Sequence, residues 1–175
     1  MPGRVLGIDP GLTRCGYAVV DADGPGRASA VSLGVLRTSP DDDLAVRLAQ
    51  LQRGLDELLD EFSPSAVAVE QVFFQVNVRT AMSVGQASGL ALAAAASRGC
   101  EVTQYTPNQV KDTVAGWGGA SKEQVMKMVQ ARLGLSRPPR PADAADAAAL
   151  ALCHLAVAPM RRRIDAVRAT RSSSR

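Results

Sequence analysis

Two short apolar runs in this chain each end in a single acidic residue: "RVLGID", closing on Asp9, and "SAVAVE", closing on Glu70. Both read as central β-strands, rich in Val, Leu and Ile and bounded by turn residues. Charged side chains are almost never buried unless they are paired or bind metal. Neither acid has an obvious basic neighbour in sequence. In open α/β sheets ligands bind at the carboxyl ends of strands. If the two strands lie adjacent and parallel, their acids meet there.

The remaining pattern supports such a sheet. "RVLGIDPG", "GYAVVDAD" and "ASAVSLGVLRT" are β-rich runs joined by turns, the second turn being "DADGPGR", and they imply an antiparallel three-strand meander. In "DDDLAVRLAQLQRGLDELLDEF", Leu44, Leu48, Leu51, Leu55, Leu58 and Leu59 recur at helical spacing. Asp41, Asp42 and Asp43 at its start read as cap and dipole chemistry. A second helix is expected in "VRTAMSVGQASGLALAAAASRG" and a fifth strand in "CEVTQYT". Thr106 with Gln109, and Ser121 with Gln124, have the spacing of capping boxes and open two further helices. Three meandering strands followed by alternating helices and strands predict an α/β fold. Its core is a five-stranded mixed sheet, the meander plus two parallel strands, flanked by helices.

The final helix carries the second pair of acids. "PADAADAAALALCH" is made of strong helix formers behind a proline start signal, yet Asp143 and Asp146 stand in its first turns. Residues three apart share a helical face, so both carboxylates project together. One of them is explained by the helix dipole, worth about 0.3–1 kcal/mol when exposed. Two, facing the ends of the strands that carry Asp9 and Glu70, describe a four-carboxylate cluster. With no thiolate or imidazole in the set, the donors are all oxygen and suit a hard cation such as Mg²⁺ or Mn²⁺. Carboxylates around two such ions, about 3.5–4 Å apart, activate water and stabilise the leaving oxygen of a phosphodiester. His154, eight residues beyond Asp146, reads as a packing or surface histidine.

Composition excludes several classes. With 175 residues and 46% hydrophobic content the chain builds one ordinary domain with a real core. The small, apolar run "GLALAAAASRG" is too short to span a bilayer, no signal peptide is visible, and Cys15, Cys100 and Cys153 are too scattered for a disulfide framework. A reduced, cytoplasmic setting with no membrane association is expected. The net charge of +3 is uneven. From Met160 onward six arginines face one aspartate, whereas the preceding part carries 14 basic against 16 acidic residues. Residues 160–175 therefore read as a basic, flexible tail able to meet phosphate, or else as an extension of the last helix docked on the body.

The motifs "GIDPGLTRCGYAVV", "AVAVEQVFFQVN", "TPNQVKDTVAGWGGASKEQV" and "PADAADAAALALCH", in that order, resemble the RuvC family of bacterial Holliday-junction resolvases in the ribonuclease H-like superfamily. The resemblance covers residues 4–158 and leaves the tail unmatched. It implies a ribonuclease H-like resolvase domain over 1–159, with Asp9, Glu70, Asp143 and Asp146 as catalytic metal ligands. The family carries aspartate or histidine where Asp143 stands. It further implies a homodimer that cuts two opposed strands of a four-way DNA junction, leaving 5′-phosphate and 3′-hydroxyl nicks, beside the RuvA–RuvB branch-migration motor. Arg79, Lys111 and Lys122 match basic positions along the family's DNA path, and Phe73, with Phe74 beside it, matches a DNA-contacting aromatic. The small-residue helix around Gly85, Ser88 and Gly89 corresponds to one near the family's dimer interface.

Two other readings compete. A junction-binding module without catalysis would tolerate loss of acids, and all four are present. Actin-like ATPases and sugar kinases share an Asp-x-Gly turn, but they need two such domains and a second phosphate turn. "GWGG" follows a helix rather than a strand. The aromatic pair carries a direct test. Phe73→Ala should slow cleavage of an intact junction more than cleavage of one pre-opened by unpaired central bases, because a wedge offsets lost stacking. Equal slowing on both substrates would assign Phe73 to the core instead.

Overall fold

The computed structural model describes residues 3–71 and 78–172. Strands β1 (Arg4–Asp9), β2 (Arg14–Gly24) and β3 (Arg27–Arg37) form the expected meander, followed by helix α1 (Leu44–Phe62) and strand β4 (Ala66–Glu70). Helix α2 (Val78–Ser97), strand β5 (Glu101–Tyr105) and helices α3 (Pro107–Ala115), α4 (Lys122–Arg132) and α5 (Ala142–Ser172) complete the chain. The strand order is β3-β2-β1-β4-β5, with β1 antiparallel to β2 and parallel to β4. The mixed five-stranded sheet is therefore as the pattern predicts.

Alternation along the strands divides the core in two. Val5, Ala18, Val20, Ala66 and Ala68 face α3, α4 and α5. Leu6, Ile8, Val19, Val67 and Val69 face Leu51, Leu55 and Leu59 of α1 and Ala87, Ala91 and Ala95 of α2. Period-two alternation puts Asp9 on the side of Val5 and Glu70 on the side of Ala68, which is the side covered by α5. Both anticipated capping boxes form, Thr106 with Gln109 and Ser121 with Gln124. The aspartate run before α1 behaves differently. Asp43 occupies the N-cap position but makes no capping hydrogen bond, and no acid lies in the first turn. Asp42 instead accepts from the Gln50 side-chain amide at 3.1 Å.

Helix α5 lies unusually close to the sheet. A Cβ on Gly7 would run into the carbonyl of Ala147, and one on Gly16 into the carbonyl of Asp143. The facing helix residues Ala144, Ala147, Ala148 and Ala151 are fully buried. Small residues on both sides thus permit backbone-to-backbone packing. The stretch Ala142–Ile164 is long and apolar enough to cross a membrane by length and composition, but its apolar 18-residue window is 61% buried within the fold. His154 is one of its buried residues, with Nδ1 3.0 Å from the Tyr105 hydroxyl. Burial keeps its pKa below the ordinary imidazole range, as befits a packing residue.

The segment expected to begin a flexible tail at Met160 continues α5 as helix to Ser172. Arg162 reaches Glu101 of β5 at 2.8 Å, and Arg161 reaches the Thr103 hydroxyl at 3.3 Å. Alanine and arginine are strong helix formers, and these contacts give the extension something to dock against. Glycine is needed beneath α5 because the opposing atoms are backbone and cannot rotate away. Gly7→Ala and Gly16→Ala should each cost roughly 1–3 kcal/mol by overpacking, measured by denaturant unfolding; unchanged stability in both would refute the close seat of α5.

Candidate active site

Parallel pairing of β1 with β4, with Ile8 opposite Val69, brings Asp9 and Glu70 side by side at the carboxyl ends of their strands. Helix α5 begins directly over them. The Pro141 carbonyl accepts from the N–H groups of Ala144 and Ala145, at 3.1 and 3.3 Å, and starts the helix so that its first turns carry Asp143 and Asp146. All four acids line one cleft of about 520 Å³, together with Lys111 of α3 and Lys122 of α4.

The electrostatics are those of an overcharged pocket. Burial, then the charges of Glu70, Asp146 and Asp143, push Asp9 up to about 8. Burial likewise raises Glu70, while its hydrogen bond with Asp9 and the charge of Lys122 pull the other way. The buried Asp9–Glu70 pair therefore shares a proton at neutral pH rather than carrying two full negative charges. The helix acids are balanced by side chains instead. Arg14 places both Nε and Nη2 on Oδ2 of Asp143, at 2.8 and 2.6 Å. Lys122 Nζ lies 2.9 Å from Oδ2 of Asp146, and that hydrogen bond raises the lysine pKa.

Arg14 is a site residue that sequence reasoning missed. It stands at the start of β2, two residues before Gly16, on which Asp143 rests. A signal was available in "GIDPGLTRCG", where an arginine returns toward the strand that ends in Asp9. Of the other anticipated residues, Lys111 and Lys122 join the cleft. Arg79 belongs to the first turn of α2, but its side chain, with Phe73 and Phe74, lies outside the described residues.

Among the described residues, no three acids, histidines or cysteines converge closely enough to ligate one ion as they stand. In this arrangement Asp143 and Asp146 are engaged by Arg14 and Lys122. The donor set nevertheless fits a hard divalent cation. Every donor is a carboxylate oxygen, and the buried Asp9–Glu70 pair holds a proton at a pH where a cation would replace it.

A ribonuclease H-like sheet that gathers four acids at one end of its central strands is the framework of a metal-dependent nuclease. A family profile described as crossover junction endodeoxyribonuclease RuvC matches residues 5–154. A protein of that name from Parafrankia sp. (strain EAN1pec) is 55% identical over 170 residues, which cover 97% of this chain and 95% of the relative. One from Streptomyces griseus is 52% identical over 171 residues, 97% of this chain and 84% of the relative. The structure of T. thermophilus RuvC in complex with Holliday junction substrate superposes with a TM-score of 0.86 at 42% identity, covering 90% of this chain and 96% of that one. The yeast mitochondrial Holliday junction resolvase Ydc2, at 17% identity and a TM-score of 0.67 over 87% of this chain and 78% of that one, shares the fold. The chain belongs to the RuvC family of crossover junction endodeoxyribonucleases.

The shifted Asp9 has a consequence for stability. Between an unfolded value of about 3.9 and a folded value of about 8, the folded chain retains a proton that the unfolded chain releases. Stability from this group is present below the lower value and is lost as pH rises through the upper one. Asp9→Asn should therefore raise the melting temperature of the metal-free protein at pH 8, at ~2–4 °C per kcal/mol recovered. The gain should shrink toward pH 4. A variant no more stable than wild type at pH 8 would refute the buried-proton arrangement.

Proposed function

We propose that this protein resolves four-way DNA junctions by metal-dependent hydrolysis of phosphodiesters in two opposed strands, leaving 5′-phosphate and 3′-hydroxyl ends. The observation that carries the reading is the meeting of Asp9, Glu70, Asp143 and Asp146 in one cleft whose rim holds two lysines. These four acids are the catalytic metal ligands of the proposal, with Mg²⁺ as cofactor, Mn²⁺ as substitute and two ions per site. Bound there, the metal supplies water activation and charge neutralisation at the scissile phosphate.

The chain's own residues do the positioning. Asp9 and Glu70 form the rigid floor, fixed by adjacent strands. Both guanidinium contacts fall on Oδ2 of Asp143, so Arg14 orients the carboxylate while leaving Oδ1 free of them. Carboxylates that ligate metal are commonly held by such a second partner. Lys122, tethered by Asp146, and Lys111 present positive charge to a phosphate entering the cleft. By the family resemblance, Phe73, Phe74 and Arg79 are further DNA contacts.

We also assign residues 1–159 to the resolvase domain and 160–175 to a basic appendage, here helical as far as Ser172. A homodimer is favoured by the outer stripe of α2. Met82 is 60% exposed there, and a Cβ added to Gly85 or Gly89 meets only open space. A two-fold dimer matches two symmetry-related scissile phosphates. Cytoplasmic action beside a RuvA–RuvB branch-migration complex completes the reading.

The deciding experiment is cleavage of a synthetic four-way junction beside linear duplex, with and without Mg²⁺. Symmetric nicks in the junction alone, dependent on metal and abolished by Asp146→Asn, are expected; a wild type that binds junctions without cutting them would leave a binding module. Arg14→Gln should lower cleavage by roughly 10–100-fold, with partial recovery at higher Mg²⁺ and an intermediate rate for Arg14→Lys. A Mg²⁺ dependence identical to wild type would remove Arg14 from the site.

A further inference from the structure

Trp117 is the single tryptophan of the chain, and it is 55% exposed. An aromatic side chain of this size ordinarily contributes to a core or an interface. The loop that displays it is closely held. Helix α3 ends at Gly116 in the left-handed conformation, at φ 90°, and α4 begins behind the Ser121 capping box. Between them the Ala120 N–H donates to the Trp117 carbonyl at 3.2 Å. Gly119 lies against the indole, where an added Cβ would strike the six-membered ring. The ring therefore rests on glycine backbone and turns much of its remaining surface to solvent.

Two lysines of the cleft stand on the helices that flank this loop, beside the acids Asp112, whose carboxylate lies against Gly118, and Glu123 in the first turn of α4. Lys122, immediately after the capping serine, contacts Asp146, and Lys111 lines the same cleft from α3. We propose that Trp117 is a stacking platform for junction DNA, taking the face of a base or deoxyribose from a strand led into the acid cluster. The inference rests on the junction-endonuclease reading and extends its binding surface to the α3–α4 loop. Stacking on an indole is tolerant of sequence, because every base offers a π-face. The two lysines supply the phosphate contacts that set the strand's path. Because the loop is pinned at both ends, little freedom is lost on contact. A second protein chain would also cover an exposed ring, but the flanking lysines favour a polyanion.

Its being the only tryptophan makes the test direct. Wild-type protein is titrated with a synthetic four-way junction in EDTA, where the DNA stays intact, while emission and gel mobility are followed together. Emission should change in step with the mobility shift, and acrylamide quenching should fall. Trp117→Ala should weaken junction binding about ten-fold, with its melting temperature unchanged, whereas Trp117→Phe stays within about three-fold. Gly119→Ala, which displaces the ring without removing it, should resemble Trp117→Ala. A mobility shift with unchanged emission and an unaffected Trp117→Ala variant would overturn the platform while leaving the functional reading intact. An emission change that follows protein concentration without DNA would overturn it in favour of a protein contact. Failure of wild type to bind the junction at all would overturn both.

Discussion

The contact between the backbone of α5 and the backbone of β1 and β2 is the constraint on which the rest of this structure depends. Gly7 and Gly16 remove the side chains that would hold the helix away, and buried alanines fill the seam from the helix side. A leucine-rich interface would be easier to stabilise per residue but would raise the helix by the thickness of its side chains. The first turn of α5 would then stand clear of Asp9 and Glu70. The alanine content of the last helix is therefore a geometric requirement of the acid cluster.

That seating creates an electrostatic problem, which the site meets in two ways. On the sheet, the buried pair keeps a proton, and Asp9 is pushed up to about 8. On the helix, Arg14 and Lys122 supply opposite charge from two further elements, β2 and α4. The metal-free site is thus held together by a proton and two side-chain cations. A divalent ion would compete with these groups, which ties metal affinity to pH and to the freedom of the two cations.

Most of the fold was legible in the sequence because its signals are local. Alternating strands, leucine spacing in α1 and both capping boxes depend on residues a few positions apart, and each formed as expected. The four acids were legible for a related reason, since a charge ending a buried strand has few structural explanations. Arg14 was not, because its partner Asp143 is distant in sequence and only the Gly16 seam brings them together. The extension beyond Met160 was ambiguous for the same reason. Arginines that solvate a free tail and arginines that dock on Glu101 look identical until β5 is placed beside them. Asp43 failed as a cap although residue type and position were right, because no local signal specifies where its carboxylate turns.

The order of the elements along the chain also sets a schedule. Asp9 and Glu70 belong to strands made early, whereas Asp143 and Asp146 lie in the last helix of the fold. At ribosomal rates of ~5–20 residues per second, Asp143 is added on the order of ten seconds after Asp9. A nascent chain interrupted before α5 presents at most half of the acid cluster and lacks the helix that seats the other half. On the proposed reading, a chain without α5 keeps only the two strand acids as metal ligands and should bind the cation weakly and fail to cut.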